Sequence, residues 1–423
     1  MTRSLLFTPL TLPNGAIVPN RICKAAMEEN LADAGQLPGE RLYTLYERWA
    51  RGGAGMILTG NVMVAPDALT GPGGVVLQKE TPVERFARWA DAGKSGGAQF
   101  WMQINHPGRQ VYKAMGEQAV SPSDIPVDLG KFSGMMGQPR ALTGPEIEAI
   151  VTRFADTAEQ AEKAGFDGVQ IHAAHGYLVS QFLSPNANKR TDRWGGSLEN
   201  RARFLLAIVD AVRARVKPGF GVGVKLNSAD FQKGGFSFEE ARQVVEWLND
   251  KALDCVELSG GSYESPAMQG NTAEDSPEQT STDKREAYFV KFARDIAHVA
   301  KMPIMVTGGI VRLDVAEDAL EKDPQGFGVA MLGIARALAF DPDLPENWLA
   351  GEQTEVLWPD ITWKSGALKG LATMSVTKAQ LERISVGKAV KPDVSPVWAL
   401  LSDQFRTARR TRRYKQWRAG GTV

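Results

Sequence analysis

The chain has 423 residues, of which 43% are hydrophobic, so it can bury a large core in one or two domains. Lys plus Arg and Asp plus Glu each number 49, so the zero net charge excludes a strong general field for nucleic acid or an anionic membrane. The first residues show no secretory pattern, and no apolar run approaches the ~18 residues of a membrane span, so we expect a cytoplasmic protein.

The predicted elements begin with a hairpin, because the turn dipeptide Asn14-Gly15 lies between two short apolar runs. Short β-branched segments then alternate with amphipathic helical patterns, which is typical of βα units around a parallel sheet. Eight strands are predicted at residues 21–26, 54–60, 98–104, 167–172, 221–226, 253–259, 303–308 and 328–333. Helices are predicted around residues 39–51, 82–94, 145–164, 197–215, 238–249, 284–299 and 312–321.

Eight βα units predict one α/β domain, a single (β/α)8 TIM barrel over residues 1–345, with the N-terminal hairpin closing its bottom. An open doubly wound sheet is the alternative, but it would place a G-x-G-x-x-G turn after the first strand, and none is found there. The alternation ends near residue 345. Residues 346–423 are predicted to form a helical extension that packs on the barrel or on a partner subunit.

One helix of the extension is predicted to start just after Pro396. Trp398, Leu401, Phe405 and Ala408 form one apolar stripe along it. Such a stripe is too apolar to leave in water, so we expect it to dock on the barrel or on a second subunit. The basic run on its other side is interpreted as a solvated face, and no nucleic-acid partner is expected.

The carboxyl ends of the strands matter most, since barrel enzymes place their chemistry there. The fourth strand ends at His172, and His175 and Tyr177 follow it closely. An H-x-x-H pair is also half of a metal site, but the only candidate for a third ligand is His106, so we expect no metal. Cys23 and Cys255 lie in apolar segments and are interpreted as buried hydrophobes. Tyr177 is equally compatible with a packed phenol bonded to the backbone.

Two glycine-containing loops follow the seventh and eighth strands. T-G-G-I contains Gly308 and Gly309, and L-G-I-A-R contains Gly333 and Arg336. Either loop alone is as consistent with a tight βα turn as with a ligand site. Together they offer backbone N–H groups and a guanidinium where barrels commonly bind phosphate, which favours a phosphate site.

A family resemblance rests on three longer motifs. These are M-Q-I-N-H-P-G-R-Q at the third strand, I-H-A-A-H-G-Y-L-V-S-Q-F-L-S-P at the fourth, and N-A-N-K-R-T-D-R-W-G-G-S-L-E-N-R after it. With the two glycine loops they resemble the Old Yellow Enzyme family of FMN-dependent ene-reductases, in order over about residues 5–345. Larger relatives on the same scaffold carry an iron–sulfur cluster, which needs a Cys group that this chain lacks.

The resemblance implies an NAD(P)H-dependent reductase of α,β-unsaturated carbonyl compounds or similar activated alkenes. His172 and His175 would donate hydrogen bonds to the substrate carbonyl, and Tyr177 would deliver the proton. Lys225 takes the position where the family usually has Arg. The residues implied to bind FMN are Ala25, Ala26, Met27, Gly60, Gln103, His172, Lys225, Gly308, Gly309, Gly333, Ala335 and Arg336.

Two expectations concern parts of the motif that look structural. In R-T-D-R-W-G-G-S-L-E-N-R, Ser197 is predicted to be the N-cap of the next helix. His106 and Arg109 are predicted to brace the third strand against its neighbours.

Glu28 departs from the family, which often has Thr or Cys there, and we expect its side chain to point away from the flavin and to pair with a basic group.

Other functions stay open at this point. An FMN oxidase or dehydrogenase of another substrate could use the same barrel, and so could a flavin-binding module without turnover. The sequence does not choose between NADH and NADPH, name the alkene or fix the oligomeric state, although a homodimer is favoured.

Overall fold

The computed structural model describes residues 4–264, 290–352, 356, 358–363 and 365–420. Its central feature is a barrel of eight parallel strands, in which β8 pairs with β1 and β3 pairs with β4. All eight predicted strands are confirmed, as β1 (Ile22–Lys24), β2 (Met56–Leu58), β3 (Gln99–Asn105), β4 (Gly168–Ala173), β5 (Gly221–Asn227), β6 (Cys255–Ser259), β7 (Ile304–Thr307) and β8 (Met331–Ile334). The fold is the predicted (β/α)8 barrel.

Helices surround the barrel. They are α1 (Glu40–Ala50), α2 (Glu84–Lys94), α3 (Gly144–Lys163), α4 (Leu178–Leu183), α5 (Leu198–Arg215), α6 (Phe238–Leu248), α7 (residues 290–297), α8 (Leu313–Leu320) and α9 (Ala337–Phe340). The short helices α4 and α9 were not predicted, and the others lie close to the predicted positions. The start of the helix predicted at 284–299 lies outside the described residues. Ser197 caps α5 as predicted, by accepting a hydrogen bond from the Asn200 N–H at 3.3 Å.

The predicted N-terminal hairpin closes the bottom of the barrel. Its strands, Leu10–Thr11 and Ile17–Val18, pair antiparallel. At the turn, the Asn14 side chain donates to the Gly219 carbonyl at 3.0 Å, and the Asn14 N–H donates to the Asp254 carboxylate at 2.8 Å. Gly219 lies just before β5 and Asp254 just before β6, so the hairpin is fixed to the amino-terminal ends of these strands.

The lower half of the barrel interior is apolar and is filled largely by Trp101. A Cβ at Gly221 would lie 2.2 Å from the Trp101 ring, so this strand position must be glycine for the indole to fit. Cys23 and Cys255 belong to the same cluster and are buried, as predicted. The residues of the upper half are polar, and they lie at the mouth formed by the carboxyl ends of the strands.

The C-terminal extension contains α10 (Leu344–Ala350), α11 (Gly366–Ile384) and α12 (Pro396–Arg418). Helix α11 contacts α1 through an ion pair of Glu382 with Arg41. Helix α12 reaches the barrel through Tyr414, which is fully buried and donates its hydroxyl proton to the Pro66 carbonyl at 3.0 Å. Among the helices of the described segments, none has both the length and the apolar character that crossing a bilayer requires. The predicted cytoplasmic location and domain boundary stay predictions.

Of the two docking partners predicted for the α12 stripe, the barrel does not cover it. Trp398, Leu401 and Phe405 are 67%, 60% and 74% exposed. The reason is that α12 docks through a different face, on which Tyr414 and Arg410 find hydrogen-bond and charge partners. Packing of the stripe on a second subunit stays a prediction.

Candidate active site

The three residues predicted to be catalytic lie together at the end of β4. The His172 ring centroid is 4.9 Å from that of His175 and 4.8 Å from that of Tyr177, with both pairs edge to face. Helix α4 starts immediately after Tyr177, so the side chain is fixed at the junction of the β4 loop and the helix. The structure therefore brings two imidazoles and a phenol into direct contact.

The hydrogen bonds of His172 determine which ring nitrogen carries the proton. Burial and the nearby charge of Lys225 hold the pKa of His172 well below its usual value, so the ring is neutral at neutral pH. Its Nδ1 accepts the Ala174 N–H at 3.2 Å. A neutral imidazole that accepts at Nδ1 carries its proton on Nε2, so His172 offers one N–H donor to a ligand.

His175 is held by its surroundings in an uncommon backbone conformation, with a φ of 60°. Its N–H donates to the Asn227 side chain at 3.1 Å, and its Nε2 lies 2.9 Å from the Ser259 hydroxyl. Burial, followed by the charges of Lys225 and His172, lowers its pKa well below the usual value. His175 is thus neutral and already bonded through Nε2 to β6.

The Tyr177 hydroxyl lies inside the site rather than against the backbone. It is 3.1 Å from the hydroxyl of Tyr263, in the loop after β6. Burial and the charge of Glu28 raise the pKa of Tyr177, and hydrogen bonds from Tyr263 and Asn61 offset part of that shift. The phenol therefore stays protonated over the physiological pH range, as a proton donor must.

The Glu28 carboxylate accepts a hydrogen bond from the Thr70 hydroxyl. Among the residues that the structure describes it forms no ion pair, so the predicted basic partner is not found there. Its charge raises the pKa values of Tyr112, Tyr177 and Tyr263, so the carboxylate lies among these three phenols. A neutral hydroxyl partner suffices because Glu28 is only half-buried and keeps some hydration.

His106 ties the end of β3 to α4, since its carbonyl accepts the Leu178 N–H at 3.0 Å, whereas the Arg109 side chain contacts loops rather than the strands next to β3. Arg109 pairs with Glu264 at 2.6 Å and donates to the Pro126 carbonyl at 2.8 Å. This ion pair holds the residue next to Tyr263, and so it connects the loops after β3 and β6. Burial lowers the pKa of His106 to about 4, and its Nδ1 accepts the Gly108 N–H at 3.1 Å, so it is a neutral structural histidine.

The residues implied to bind FMN lie at the same mouth. Ala25, Ala26 and Met27 follow β1, where the Ala25 N–H donates to the Ile334 carbonyl at 2.9 Å. Gly60 follows β2, and its N–H is used by Glu29 and Tyr46, so this glycine contributes space rather than a free donor. A Cβ at Gly60 would lie 2.3 Å from the Met27 carbonyl oxygen.

The two glycine loops follow neighbouring strands, because β7 and β8 pair with Thr307 opposite Gly333. Gly309 has a φ of 77°, which favours glycine. Gly333 has a packing reason as well, since a Cβ there would lie 1.8 Å from the Thr307 hydroxyl oxygen. Ala335 and Arg336 come next, and the Arg336 guanidinium stacks on Trp358 with 4.5 Å to the ring centroid.

The donor set fits a flavin. The Gln103 amide and the Lys225 ammonium are both buried side chains of the upper barrel, and such groups match the polar edge of an isoalloxazine ring. The Gly308, Gly309 and Gly333 loops with Arg336 match a phosphate. Within the segments that the structure describes, no three His, Cys, Asp or Glu side chains are grouped to hold a metal ion.

Comparison with known proteins identifies the family. The model of the NADH:flavin oxidoreductase / NADH oxidase family matches residues 5–355. The chain belongs to this family. The NADH-dependent flavin oxidoreductase iliE of Hypocrea jecorina (strain QM6a) is 37% identical over 356 residues, which cover 80% of this chain and 87% of that protein. The NADH-dependent flavin oxidoreductase nadA of Aspergillus parasiticus is 35% identical over 388 residues, 88% of this chain and 83% of the relative.

Solved structures agree with this membership. Morphinone reductase in complex with tetrahydroNAD superposes with a TM-score of 0.66 at 26% identity, covering 84% of this chain and 92% of that one. An Old Yellow Enzyme homologue from Zymomonas mobilis superposes with a TM-score of 0.67 at 25% identity, covering 83% of this chain and 94% of that one. The 2-naphthoyl-CoA reductase superposes with a TM-score of 0.72 at 27% identity. The match covers 82% of this chain but only 52% of that larger protein.

Family membership confirms the resemblance to Old Yellow Enzyme and makes the chain a flavin-dependent oxidoreductase linked to NAD(H). Sequence reasoning missed Tyr263, Glu257 and Gln170, all of which contact predicted site residues or each other. Tyr263 had a usable signal, since it follows S-G-G-S at the end of β6, where barrel chemistry is expected. For Gln170 and Glu257, the sequence signal was limited to a polar residue inside an otherwise apolar strand.

Proposed function

We propose that the chain is an FMN-dependent reductase that uses NADH to reduce the C=C bond of α,β-unsaturated carbonyl compounds and similar activated alkenes. The observation that carries this proposal is a neutral imidazole donor beside a protonated phenol, His172 and Tyr177, with ring centroids 4.8 Å apart. One group suits a carbonyl oxygen and the other suits a carbon that must gain a proton. The NADH-dependent relatives support NADH as the reductant.

Each residue has a separate part in the proposed reaction. FMN, when bound, would accept electrons from NADH and supply the hydride for the β-carbon of the alkene. His172 donates its Nε2–H to the carbonyl oxygen, where negative charge develops. His175 is the second donor to the same oxygen. Tyr177 gives its hydroxyl proton to the α-carbon, so its O–H bond breaks as a C–H bond forms.

The cofactor site is proposed on the residues of the mouth. Gln103 and Lys225 would bind the pyrimidine end of FMN, and Ala25, Ala26 and Met27 would line its ring. The phosphate would bind the backbone N–H groups of Gly308, Gly309, Gly333 and Ala335 together with Arg336. Backbone N–H groups with a guanidinium suit a phosphate, and a buried amide with an ammonium group suits the pyrimidine end.

The alternatives differ in what oxidises the reduced flavin. A relative named NADH oxidase, from Thermoanaerobacter brockii, is 33% identical over 80% of this chain, although the chain spans only 50% of that protein. An oxidase would use dioxygen, and a flavin-binding module would use neither acceptor.

The test is to reduce the flavin-loaded protein with NADH anaerobically and mix it with 2-cyclohexen-1-one or with dioxygen. We expect rapid re-oxidation by the enone with formation of cyclohexanone. Re-oxidation by dioxygen alone would favour the oxidase, and failure of NADH to bleach the flavin would favour the binding module.

We also propose that the protein forms a homodimer through the exposed stripe of α12. Three large apolar side chains more than half exposed on one helix face are unusual for a monomer surface.

A further inference from the structure

A continuous chain of four buried polar side chains crosses the upper barrel. The Gln103 amide donates to the Gln170 carbonyl oxygen at 2.8 Å, and the Gln170 amide donates to Glu257 at 2.7 Å. Lys225 pairs with the other oxygen of the Glu257 carboxylate at 2.7 Å. None of the four is more than 3% exposed. The chain therefore links the two residues proposed to bind the pyrimidine end of the flavin.

Glu257 fixes the direction of every hydrogen bond in this chain. A carboxylate can only accept, and Glu257 accepts from Gln170, from Lys225 and from the Thr307 hydroxyl at 2.5 Å. Gln170 must therefore turn its NH2 group toward Glu257 and its carbonyl oxygen toward Gln103. Gln103 in turn donates one N–H to Gln170 and keeps its carbonyl oxygen and second N–H for another group.

Glu257 also compensates the charge of Lys225. The two charged atoms are in contact inside a barrel that is otherwise apolar below this level, so the pair acts on its surroundings as a nearly neutral unit. A buried ion pair is weak evidence for stability, since well-packed apolar residues often serve as well. Its position at the mouth, above the apolar layer around Trp101, points instead to a role toward the ligand.

We propose that Glu257 is a positioning residue that neutralises Lys225 and orients Gln103, and thereby holds down the reduction potential of the bound flavin. The inference rests on the proposed flavin site. An uncompensated cation near the pyrimidine ring would stabilise the negative charge of reduced flavin and raise the potential. With Glu257 in place, the ring meets a nearly neutral pair instead.

The test uses the flavin-loaded protein with Glu257→Gln, which removes the charge and keeps the shape. We expect a more positive midpoint potential and roughly tenfold tighter binding of sulfite, whose adduct leaves a negative charge on the flavin. The matched control is Thr307→Val, which removes a neutral donor to the same carboxylate and should change the sulfite Kd less than about threefold. An unchanged potential and sulfite Kd in a Glu257→Gln protein that still binds flavin would overturn the proposal.

A second variant covers the case in which Glu257→Gln does not fold. Glu257→Asp keeps the negative charge but draws it back from Lys225 by one methylene, so the carboxylate compensates the ammonium charge less completely. The midpoint potential should rise and sulfite should bind about threefold more tightly. An unchanged potential and sulfite Kd in a Glu257→Asp protein that still binds flavin would overturn the proposal. Neither measurement uses an alkene, so failure of the proposed enone reduction would be seen separately.

Discussion

His172 and His175 look equivalent in the sequence, but the structure gives them different hydrogen-bonding states. His172 has an N–H on Nε2 because its Nδ1 is used by Ala174. His175 has its Nε2 against Ser259. The residue that most directly offers a donor to a ligand is therefore His172.

This difference predicts unequal losses of ligand binding. His172→Ala should weaken the binding of a phenol such as p-hydroxybenzaldehyde by roughly 10- to 100-fold, since one hydrogen bond to a charged ligand is worth roughly 1.5–3 kcal/mol. His175→Ala should weaken it less, because Nε2 of His175 is already bonded to Ser259. Titration of the charge-transfer band between phenolate and oxidised flavin measures both. Equal affinity in His172→Ala and the unmodified protein would contradict the donor role.

The pKa shifts predict how the reaction with an alkene depends on pH. Both imidazole pKa values are lowered well below the usual 6.5, so both rings stay neutral as the pH falls from 8 to 6. The raised pKa of Tyr177 keeps its proton on the alkaline side. The rate of flavin re-oxidation by an enone should be flat from pH 6 to 8. An inflection near pH 6.5 that disappears in His172→Ala would show that the imidazole titrates there.

At the scale of elements, β1 and β2 are joined to α1 by a buried triad, which consists of Lys24, Glu29 and Tyr46. Lys24 donates to the Leu58 carbonyl at 2.9 Å and lies 4.2 Å from the Trp49 ring centroid. The Tyr46 hydroxyl donates to Glu29 and accepts the Gly60 N–H at 2.9 Å. Burial lowers the pKa of Lys24 to about 8 and raises that of Glu29. The triad thus fixes the loops that carry Met27 and Gly60 into the proposed flavin site.

Removing one hydroxyl from the triad should cost stability. Tyr46→Phe removes the hydroxyl donor of buried Glu29 and leaves it the Gly60 N–H, so the free energy of unfolding should fall by about 1.5–3 kcal/mol, the range for a hydrogen bond to a charged group. Tyr43→Phe is the matched control on the same helix, because its hydroxyl donates to the neutral Pro38 and Arg85 carbonyls, and its loss should cost about 1 kcal/mol. Urea unfolding followed by Trp fluorescence compares the two. Equal losses would show that the triad adds nothing beyond an ordinary hydrogen bond.

The elements were predictable from sequence because their signals are local. The eight strands and the longer helices between them follow from short hydrophobic periods, and the cap at Ser197 follows from its position before a helix. The short helices α4 and α9 have too few residues to show such a period. The contacts around the site are not local, since Arg109 and Glu264 are separated by 155 positions and Tyr177 and Tyr263 by 86. No period of the sequence reports such pairs, which is why the contact of Tyr177 with Tyr263 and that of Glu28 with Thr70 were missed.

At the scale of the whole molecule, the extension packs on the barrel through apolar and polar contacts and keeps an apolar stripe in water. The Arg418 side chain donates to Glu117 at 2.9 Å, and Tyr414 also hydrogen-bonds Glu117 at 3.2 Å. The stripe of Trp398, Leu401 and Phe405 takes no part in this docking. Amphipathic patterning predicted the helix correctly, but it could not tell which face would meet the barrel.

The stripe can be tested without disturbing the docked face. Changing Trp398, Leu401 and Phe405 to Ser should lower the mass found by light scattering from a dimer to a monomer, because the apolar contact between subunits is lost. Flavin content should stay the same. Val386→Ser, at an exposed apolar position on the neighbouring turn, is the control and should leave the mass unchanged. A triple variant of unchanged mass would rule out this interface.

The central claim is that Tyr177 supplies the proton in the reaction with the alkene and takes no part in the reduction of the flavin by NADH. Tyr177→Phe tests this claim most directly. Stopped-flow absorbance follows flavin reduction by NADH and then its re-oxidation by 2-cyclohexen-1-one. Only the second step needs a proton on carbon, so it should slow by roughly 10²–10⁴-fold while reduction by NADH stays within about twofold. Tyr112→Phe, which removes a nearby phenol, should leave both rates near normal. Equal slowing of both steps in Tyr177→Phe would contradict the account.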